Sequence, residues 1–570
     1  MSGTAIPDRH LDVDALHGRR ATARWERTVV GDLLERVRWS YPDKDAVVGD
    51  PAACSAPEFR RLTYRQADQL ANRIANALLA RGLGRGDRVM FLCENSVEAY
   101  VAKIGVAKAG LVSAPFNPRL GRDVLRDLID RVAPRHAFVD AEFREAVSGL
   151  IGQRRIPAVV IPVGGEPSGE DEDFAGFAGA APDTEPDVEI HADDIWQVLP
   201  TSGTTSMPKL VMQSHLYGYF AAYTSAMTYT RGLRFEADLR LFCPFPVIYH
   251  ASDQAHTFPA FLAGGTVLLA RRNDPEQNAA LVAAERATAM FGGSSGFLRA
   301  FAEHVEAHRD RLDISSLTSI TYTWAPIHPD IAALLKRLCG PDLMITGHLG
   351  QTEVLSTTRF WPDRWPEVYR AEALEKNHVG VPNPLLATAI RTDDGRIIGP
   401  ETPGVSGEIV YRTPAVTAGY YKDAEATRRA FEGGWFSSGD CGQYDANGLL
   451  VLIDRYKDMI KSGGENVSTI RVEAVLTDHP AIRKAAVVGL PHPRWSEAVT
   501  AFVVPAADRT PDEAEIIAHC RRRLAGFETP KAVVFVGSLP ETVGGKVQKQ
   551  VLRARYADFF ARGAHTEDRP

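Results

Sequence analysis

Residues 195–209 read IWQVLPTSGTTSMPK: an apolar run of strand character breaks into a loop of hydroxyls, one glycine, a proline and a lysine. Backbone N–H groups and hydroxyls of such a loop can grip an anion. The spacing is not that of the common nucleotide loop G-x-x-x-x-G-K-[ST], because one glycine is present and no hydroxyl follows the lysine. A polar surface turn is the plain alternative, and the neighbouring sequence decides between them. A helix is expected from near Ser214. Upstream, RQADQLANRIANALLARG places Leu70, Ile74, Ala75 and Leu78 on one helical face, with Gly82 as its stop. GDRVMFLCEN then reads as a buried strand, SVEAYVAKIGVAKAG as a helix and LVSAPFN as a strand. This is the rhythm of an α/β sheet with crossover helices.

Further out, βα alternation continues to about residue 360. Residues 164–188, acidic and rich in Gly, Pro and Ala, read as a surface loop or linker. From 378 to 453, segments such as GEIVYR and GLLVLIDR between turn residues predict a β-rich subdomain. A boundary is expected at 454–457, dividing a large domain, 1–453, from a small α+β domain, 458–570. The final GAHTEDRP is expected to fray. The fold class is therefore α/β, with a large multi-subdomain N-terminal region and a small mobile C-terminal domain.

With 570 residues the chain exceeds one ordinary core. A net charge of −7 gives no field to attract nucleic acid or an acidic membrane. The six cysteines, at 54, 93, 243, 339, 441 and 520, form no CxxC pair, which argues against a zinc ribbon or disulfide scaffold. MSGTAIPDRHLDVDALHGRR lacks the apolar centre of a signal peptide, and no stretch is long and apolar enough for a membrane span. These features lead to the expectation of a cytoplasmic protein with a small-molecule partner, no nucleic acid and no membrane span. A homodimer remains compatible.

Five motifs occur in order: TSGTTSMPK at 201–209, GQTE at 350–353, GWFSSGD at 434–440, DRYKDMIKSGGENV at 454–467 and PETVGGKVQK at 540–549. Together they resemble the adenylate-forming (AMP-binding) superfamily, most closely its acyl-CoA and aryl-CoA synthetase branch. The resemblance spans about residues 30 to 555. It implies two half-reactions in one site: an acid attacks the α-phosphate of ATP to form an acyl-adenylate, and a thiol, usually of coenzyme A, displaces AMP.

The resemblance assigns roles residue by residue. Thr201, Ser202, Gly203, Thr204, Thr205 and Lys209 would clasp the leaving pyrophosphate, which needs N–H groups, hydroxyls and a point charge. Thr352 would lie near the phosphates and Glu353 would help hold Mg²⁺, a hard ion suited to carboxylate and phosphate oxygens. Asp440 would accept hydrogen bonds from the ribose hydroxyls, with Arg455 in support. Lys546 would bridge the acid's carboxylate and ATP, offsetting their repulsion. Lys457 matches a hinge about which the small domain turns. PFPVIYHASDQAH, 244–256, resembles the family's segment that packs beside the acyl group, and its His250 matches a residue that gates or lines the thiol path. A metal at His250, Asp253 and His256 is disfavoured, because residues six apart on a helix diverge by roughly 120°.

Other positions depart from the family pattern. Before Ala325 and Pro326, a glycine pair is replaced by Thr323 and Trp324, so an indole is expected to shorten the acid pocket or wall an aromatic acid. Leu349, before Gly350, stands where an aromatic ring often stacks on adenine. Ser294 stands at a common proline position in the pocket segment. On the thiol side, Gly463, Gly464, Trp495 and Phe527 match the coenzyme path. Ser496 replaces a glycine, and Glu528 replaces a lysine and is expected to repel the coenzyme's phosphates, with Lys531 or the arginines at 521–523 compensating. The reading is an acid–CoA ligase for a small, aryl or short- to medium-chain acid, using ATP, Mg²⁺ and coenzyme A. One alternative passes the activated acid, or a small inorganic acid such as nitrite, to an amine or carrier thiol. The other is an inactive scaffold homologue.

Overall fold

The computed structural model describes residues 13–166, 171–201, 208–250, 252–323, 325–373, 375–507, 509–541 and 547–561. The βα rhythm becomes two large sheets. One has eight strands in the order Gly419–Tyr420, Leu210–Ser214, Ile195–Pro200, Val112–Pro115, Arg88–Leu92, His136–Asp140, Ala158–Ile161 and Glu172–Asp173. The other has fourteen. Its parallel half runs through Asp45–Gly49, Thr266–Leu269, Arg240–Cys243, Ala289–Gly293, Ser319–Thr323 and Met344–Gln351.

Helices Tyr64–Ala80 and Val97–Lys108 pack against each other within the main core. Every residue of Val97–Lys108 is buried, so this helix carries no polar face. Its two lysines are paired: Lys103 Nζ lies 2.5 Å from Asp253 Oδ2, and Lys108 Nζ lies 2.5 Å from Asp68 Oδ1. The predicted helix at 65–82 is found at Tyr64–Ala80, with Thr63 capping its first turn and Gly82 in the left-handed region beyond its end.

The β-rich segment is an extension of the fourteen-stranded sheet, not a separate layer. Strand Asn377–Pro382 pairs with Val354–Phe360 on one side and with Leu450–Arg455 on the other. From there the sheet continues through Phe436–Tyr444, Gly407–Arg412 and Ala387–Arg391. The expected loop at 164–188 contains a helix, Phe174–Gly179, whose Phe174 and Phe177 are fully buried. Two rings three residues apart supply the apolar face that the surrounding acidic composition concealed.

Leu450–Arg455 is the last strand of the large sheet, and Ile460–Ser462 is the first of a separate five-stranded sheet. Helices Thr469–Thr477 and Glu513–Arg521 pack on that small sheet and on each other. The two regions are stitched beside the crossover. Thr469 donates both its N–H and its hydroxyl to Asp454 Oδ2, each at 2.6 Å, and Ser468 donates to the Ile453 carbonyl at 2.6 Å. Among the described residues, no helix is long and apolar enough to cross a membrane.

Candidate active site

The opening loop joins Ile195–Pro200 to Leu210–Ser214, antiparallel neighbours in register from Pro200 opposite Leu210. Thr201 and Lys209 close its base: Thr201 N–H bonds the Lys209 carbonyl at 2.7 Å, and Lys209 N–H bonds Thr201 Oγ1 at 3.2 Å. Ser202, Gly203, Thr204 and Thr205 lie outside the described residues, as do Trp324 and Lys546.

Lys209 has no carboxylate within ion-pair distance among the described residues. Its Nζ sits 4.4 Å from the centre of the Tyr420 ring. Tyr420 is delivered by the two-residue strand Gly419–Tyr420, which leaves the β-rich segment to pair with Leu210–Ser214. The Tyr420 hydroxyl donates to Glu353 Oε1 at 3.1 Å. Glu353 is buried, and that burial raises its carboxyl above the ordinary range; Tyr420, Arg455 and Lys209 pull the other way. The chain of contacts Lys209–Tyr420–Glu353 therefore joins two separate sequence motifs at one rim, through a tyrosine that belongs to neither.

The turn bearing Glu353 is fixed from behind. Gln213 Nε2 and the Tyr217 hydroxyl both donate to the Thr352 carbonyl at 2.8 Å, and Thr417 N–H donates to the Glu353 carbonyl at 2.8 Å. Asp440 and Arg455 face each other across an antiparallel pair, with Arg455 Nε 3.2 Å from Asp440 Oδ1. The left-handed Gly439 and the Ser438 hydroxyl, which accepts from Asp440 N–H at 3.0 Å, shape that corner.

Thr323, Ala325 and Leu349 line one small cleft with Asn377, Val379 and Leu452. Gly350 packs against Thr357, and Pro326 is half-buried beside Ala325. Ser294 is not in this cleft. Its hydroxyl caps helix Ser295–Ala307, accepting from Phe297 N–H at 3.1 Å. The preceding Gly293 admits no side chain, since a Cβ there would fall 2.0 Å from the Phe245 ring.

His250 is half-buried just before helix Ser252–His256 and lies within electrostatic reach of His256. His250, Asp253 and His256 do not converge on a metal. Asp253 is spent on Lys103, while His256 Nδ1 lies 2.6 Å from the Tyr229 hydroxyl and its ring stacks on Phe291 at 3.6 Å. Among the described residues, the grouping within metal-ligand reach is Glu372, His378 and Asp445 instead.

On the small domain, Gly463 and Gly464 both have positive φ, 63° and 91°, and make the two-residue turn between Ile460–Ser462 and Glu465–Val467. Gly463 N–H bonds the Trp495 carbonyl at 2.9 Å. The Trp495 ring is flanked by Lys531 Nζ at 5.3 Å and by the Arg494 guanidinium at 5.4 Å. Lys531 also donates to the Gly526 carbonyl at 2.6 Å, which ties the exposed Phe527 to the same patch. Glu528 does not stand free to repel an anion: Arg471 Nε lies 3.1 Å from its carboxylate, which also caps Ala525 N–H at 2.9 Å. Ser496 adopts a left-handed φ of 65°, and Glu497 N–H reaches back over it to the Trp495 carbonyl at 2.7 Å. Lys457 is exposed beside Asp458, which Arg553 of the last helix holds at 3.0 Å.

Tyr420 and the residues that pair with Glu528 and Trp495 carry no motif of their own. The sequence offered Lys531 and the arginines at 521–523 as cations near the coenzyme positions, and of these Lys531 flanks the Trp495 ring.

Models of known families agree with this arrangement. The AMP-binding enzyme model matches residues 34–421, and the AMP-binding enzyme C-terminal domain model matches residues 471–546. The chain belongs to the AMP-binding enzyme family and is an AMP-forming ligase. It is similar to a feruloyl-CoA synthase of Amycolatopsis sp, 32% identical over 91% of this chain and 98% of that one. Among solved structures it resembles ATP-bound MatB from Rhodopseudomonas palustris, with 27% identity, TM-score 0.78, and coverage of 93% and 99% of the two chains. It also resembles the amide bond synthetase McbA from Marinactinospora thermotolerans, with 27% identity, TM-score 0.76, and coverage of 92% and 100%.

Proposed function

We propose that this ligase joins a small, aryl or short- to medium-chain carboxylic acid to coenzyme A through an acyl-adenylate. The observation that carries the reading is the Lys209–Tyr420–Glu353 rim with the Asp440–Arg455 pair close enough to act on it. Lys209, on the loop 201–209, neutralises the β- and γ-phosphates as pyrophosphate leaves. Asp440 accepts from the ribose hydroxyls while Arg455 holds its carboxylate in place. Ala325, Pro326, Leu349 and Gly350 form the wall against which adenine rests. Lys546 brings the acid's carboxylate to the α-phosphate.

Glu353, with Thr352 beside it, suits Mg²⁺. A single buried carboxylate with one oxygen engaged by Tyr420 offers a hard oxygen ligand, and phosphates and water complete such a shell. When bound, that ion supplies positive charge opposite the phosphates.

For the second half-reaction, the small domain turns about Lys457 and presents the Gly463–Gly464 turn as the pantetheine path, with His250 at its inner end. Trp495, with Phe527 on the neighbouring loop, is a stacking platform for the coenzyme's adenine, and Lys531 and Arg494 face its phosphates. The pairing of Glu528 with Arg471 supports coenzyme A over an amine acceptor. Likeness to an amide bond synthetase keeps the amine acceptor as a second reading.

The test is mass spectrometry of products from ATP, Mg²⁺ and an acid panel, with coenzyme A, with an amine, and with nitrite plus an aromatic amine. Acyl-CoA that vanishes in a Lys546→Ala variant is the expected result. Equal AMP release without coenzyme A, together with an amide or diazo product, would overturn it. No AMP with any acid would leave the scaffold reading.

A further inference from the structure

Helix His215–Tyr229 covers a face of the fourteen-stranded sheet that is polar where an apolar floor would be ordinary. Register puts the polar groups on one face, in two neighbouring cross-strand rows. Arg359 lies directly opposite His348 on the antiparallel neighbour, while Thr323 is level with His348, and Thr321 with Thr346, on the parallel one. Directly opposed residues share a face. The helix answers with polar groups: Thr228 Oγ1 accepts from Arg359 at 3.1 Å, and the Tyr229 hydroxyl lies 2.9 Å from Thr321 Oγ1.

Among the described residues, three members of these rows have a polar atom without a partner. Arg359 is 5% exposed, its Nε has no partner, and no carboxylate lies within ion-pair distance of it among the described residues. His348 is 8% exposed and neither ring nitrogen is bonded. Thr346 Oγ1 is buried and unpartnered. Burial, and the nearby Arg231 cation, lower Arg359 to about 10, so it stays charged at neutral pH. Burial and Arg359 together lower His348 to about 3, so it stays neutral with one N–H to give. Arg231 and Arg359 bracket the Trp361 ring, at 5.0 and 5.3 Å from its centre. Two like charges thus converge, one of them buried without a counter-ion among the described residues. That is unfavourable in the free protein and poised for an anion.

The rows border the segment read as lining the acid. His256 ends helix Ser252–His256, stacks on Phe291 and touches Tyr229, which touches Thr321. We propose that Arg359, His348 and Thr346 bind a second carboxylate on the substrate, so that the acid activated is a dicarboxylic acid. One carboxylate reaches the adenylation centre, and the other accepts hydrogen bonds from the Arg359 guanidinium, the His348 imidazole and the Thr346 hydroxyl. The proposal rests on the acid-activating reading and deepens it by naming the substrate class.

The experiment compares matched acids that differ only at the far end: adipate with hexanoate, and terephthalate with p-toluate. Initial AMP formation with ATP and coenzyme A gives kcat/KM for each, and calorimetry gives diacid binding to the full chain. The diacid of a pair should be favoured at least tenfold. Arg359→Met should lower the diacid-to-monoacid ratio about 100-fold, and Arg359→Lys should restore part of it. Unchanged thermal unfolding of the lysine variant guards against a misfolded methionine variant. Turnover of monoacids without diacid preference overturns the inference and leaves the ligase reading standing. If no acid is turned over, the ligase reading falls and calorimetry alone decides. Diacid binding that is lost in Arg359→Met upholds the anion site, and absent binding overturns it.

Discussion

Glu353→Gln should make the free protein more stable while stopping its chemistry. Burial is the largest influence on the Glu353 carboxyl and raises it above its ordinary 4.5. For an acid raised in the folded state, the folded form binds the extra proton. Stability is therefore greatest below the unfolded value and falls as pH rises through the folded one. Above its folded value the wild type bears that penalty in full. A buried ion is disfavoured by several kcal/mol, whereas the charged hydrogen bond from Tyr420 returns about 1.5–3 kcal/mol. Lys209 is exposed and Arg455 is about a third exposed, so solvent screens most of their help. The balance is about 1–2 kcal/mol in favour of glutamine. Urea unfolding of both proteins across pH 5 to 8, without nucleotide, reads it directly. The gap should widen as pH rises, with glutamine ahead, while ATP-dependent AMP formation falls about 100-fold or more. A gap that is flat across pH would refute the reasoning, because a packing effect has no proton linkage.

Three further outcomes are expected. Asp440→Asn removes a charged acceptor worth about 1.5–3 kcal/mol, so the KM for ATP should rise roughly 10- to 150-fold in steady-state assays with the acid saturating. Trp495→Ala removes a stacking platform worth about 1–3 kcal/mol. The KM for coenzyme A should rise about 5- to 150-fold, while pyrophosphate release in a single turnover without coenzyme A holds within about twofold. Ser496→Gly relieves a left-handed φ that costs an L-residue about 1–2 kcal/mol, against about 0.5–1 kcal/mol of added glycine entropy. Urea unfolding should show a gain of about 0.5–1 kcal/mol, and a loss would mean that the serine hydroxyl holds the turn.

Much of the architecture was legible because it is local. The helix before Gly82, the strand in GDRVMFLCEN and the helix in SVEAYVAKIGVAKAG follow from period and punctuation. Five short motifs marked the family. What escaped reading depends on contacts between distant segments. Tyr420 reaches Glu353 across 67 residues, and neither residue's neighbours foretell it. Glu528 looked repulsive in sequence because its partner, Arg471, lies far back in the chain, on helix Thr469–Thr477. The β-rich stretch looked like a separate unit because edge pairing between Asn377–Pro382 and Val354–Phe360 leaves no trace in composition. Arg359 and His348 sit in strands that otherwise read as ordinary, and only register reveals that they oppose one another.

The two-residue strand that carries Tyr420 has a practical consequence. A cut within the exposed turn at 401–405 would leave Lys209 and Glu353 on one fragment, with Tyr420, Asp440 and Arg455 on the other. Neither piece holds a whole nucleotide rim, and rejoining them means re-pairing Gly407–Arg412 with Ala387–Arg391 and Gly419–Tyr420 with Leu210–Ser214. Fused to two interacting proteins, such halves would make AMP release a switchable signal of their association.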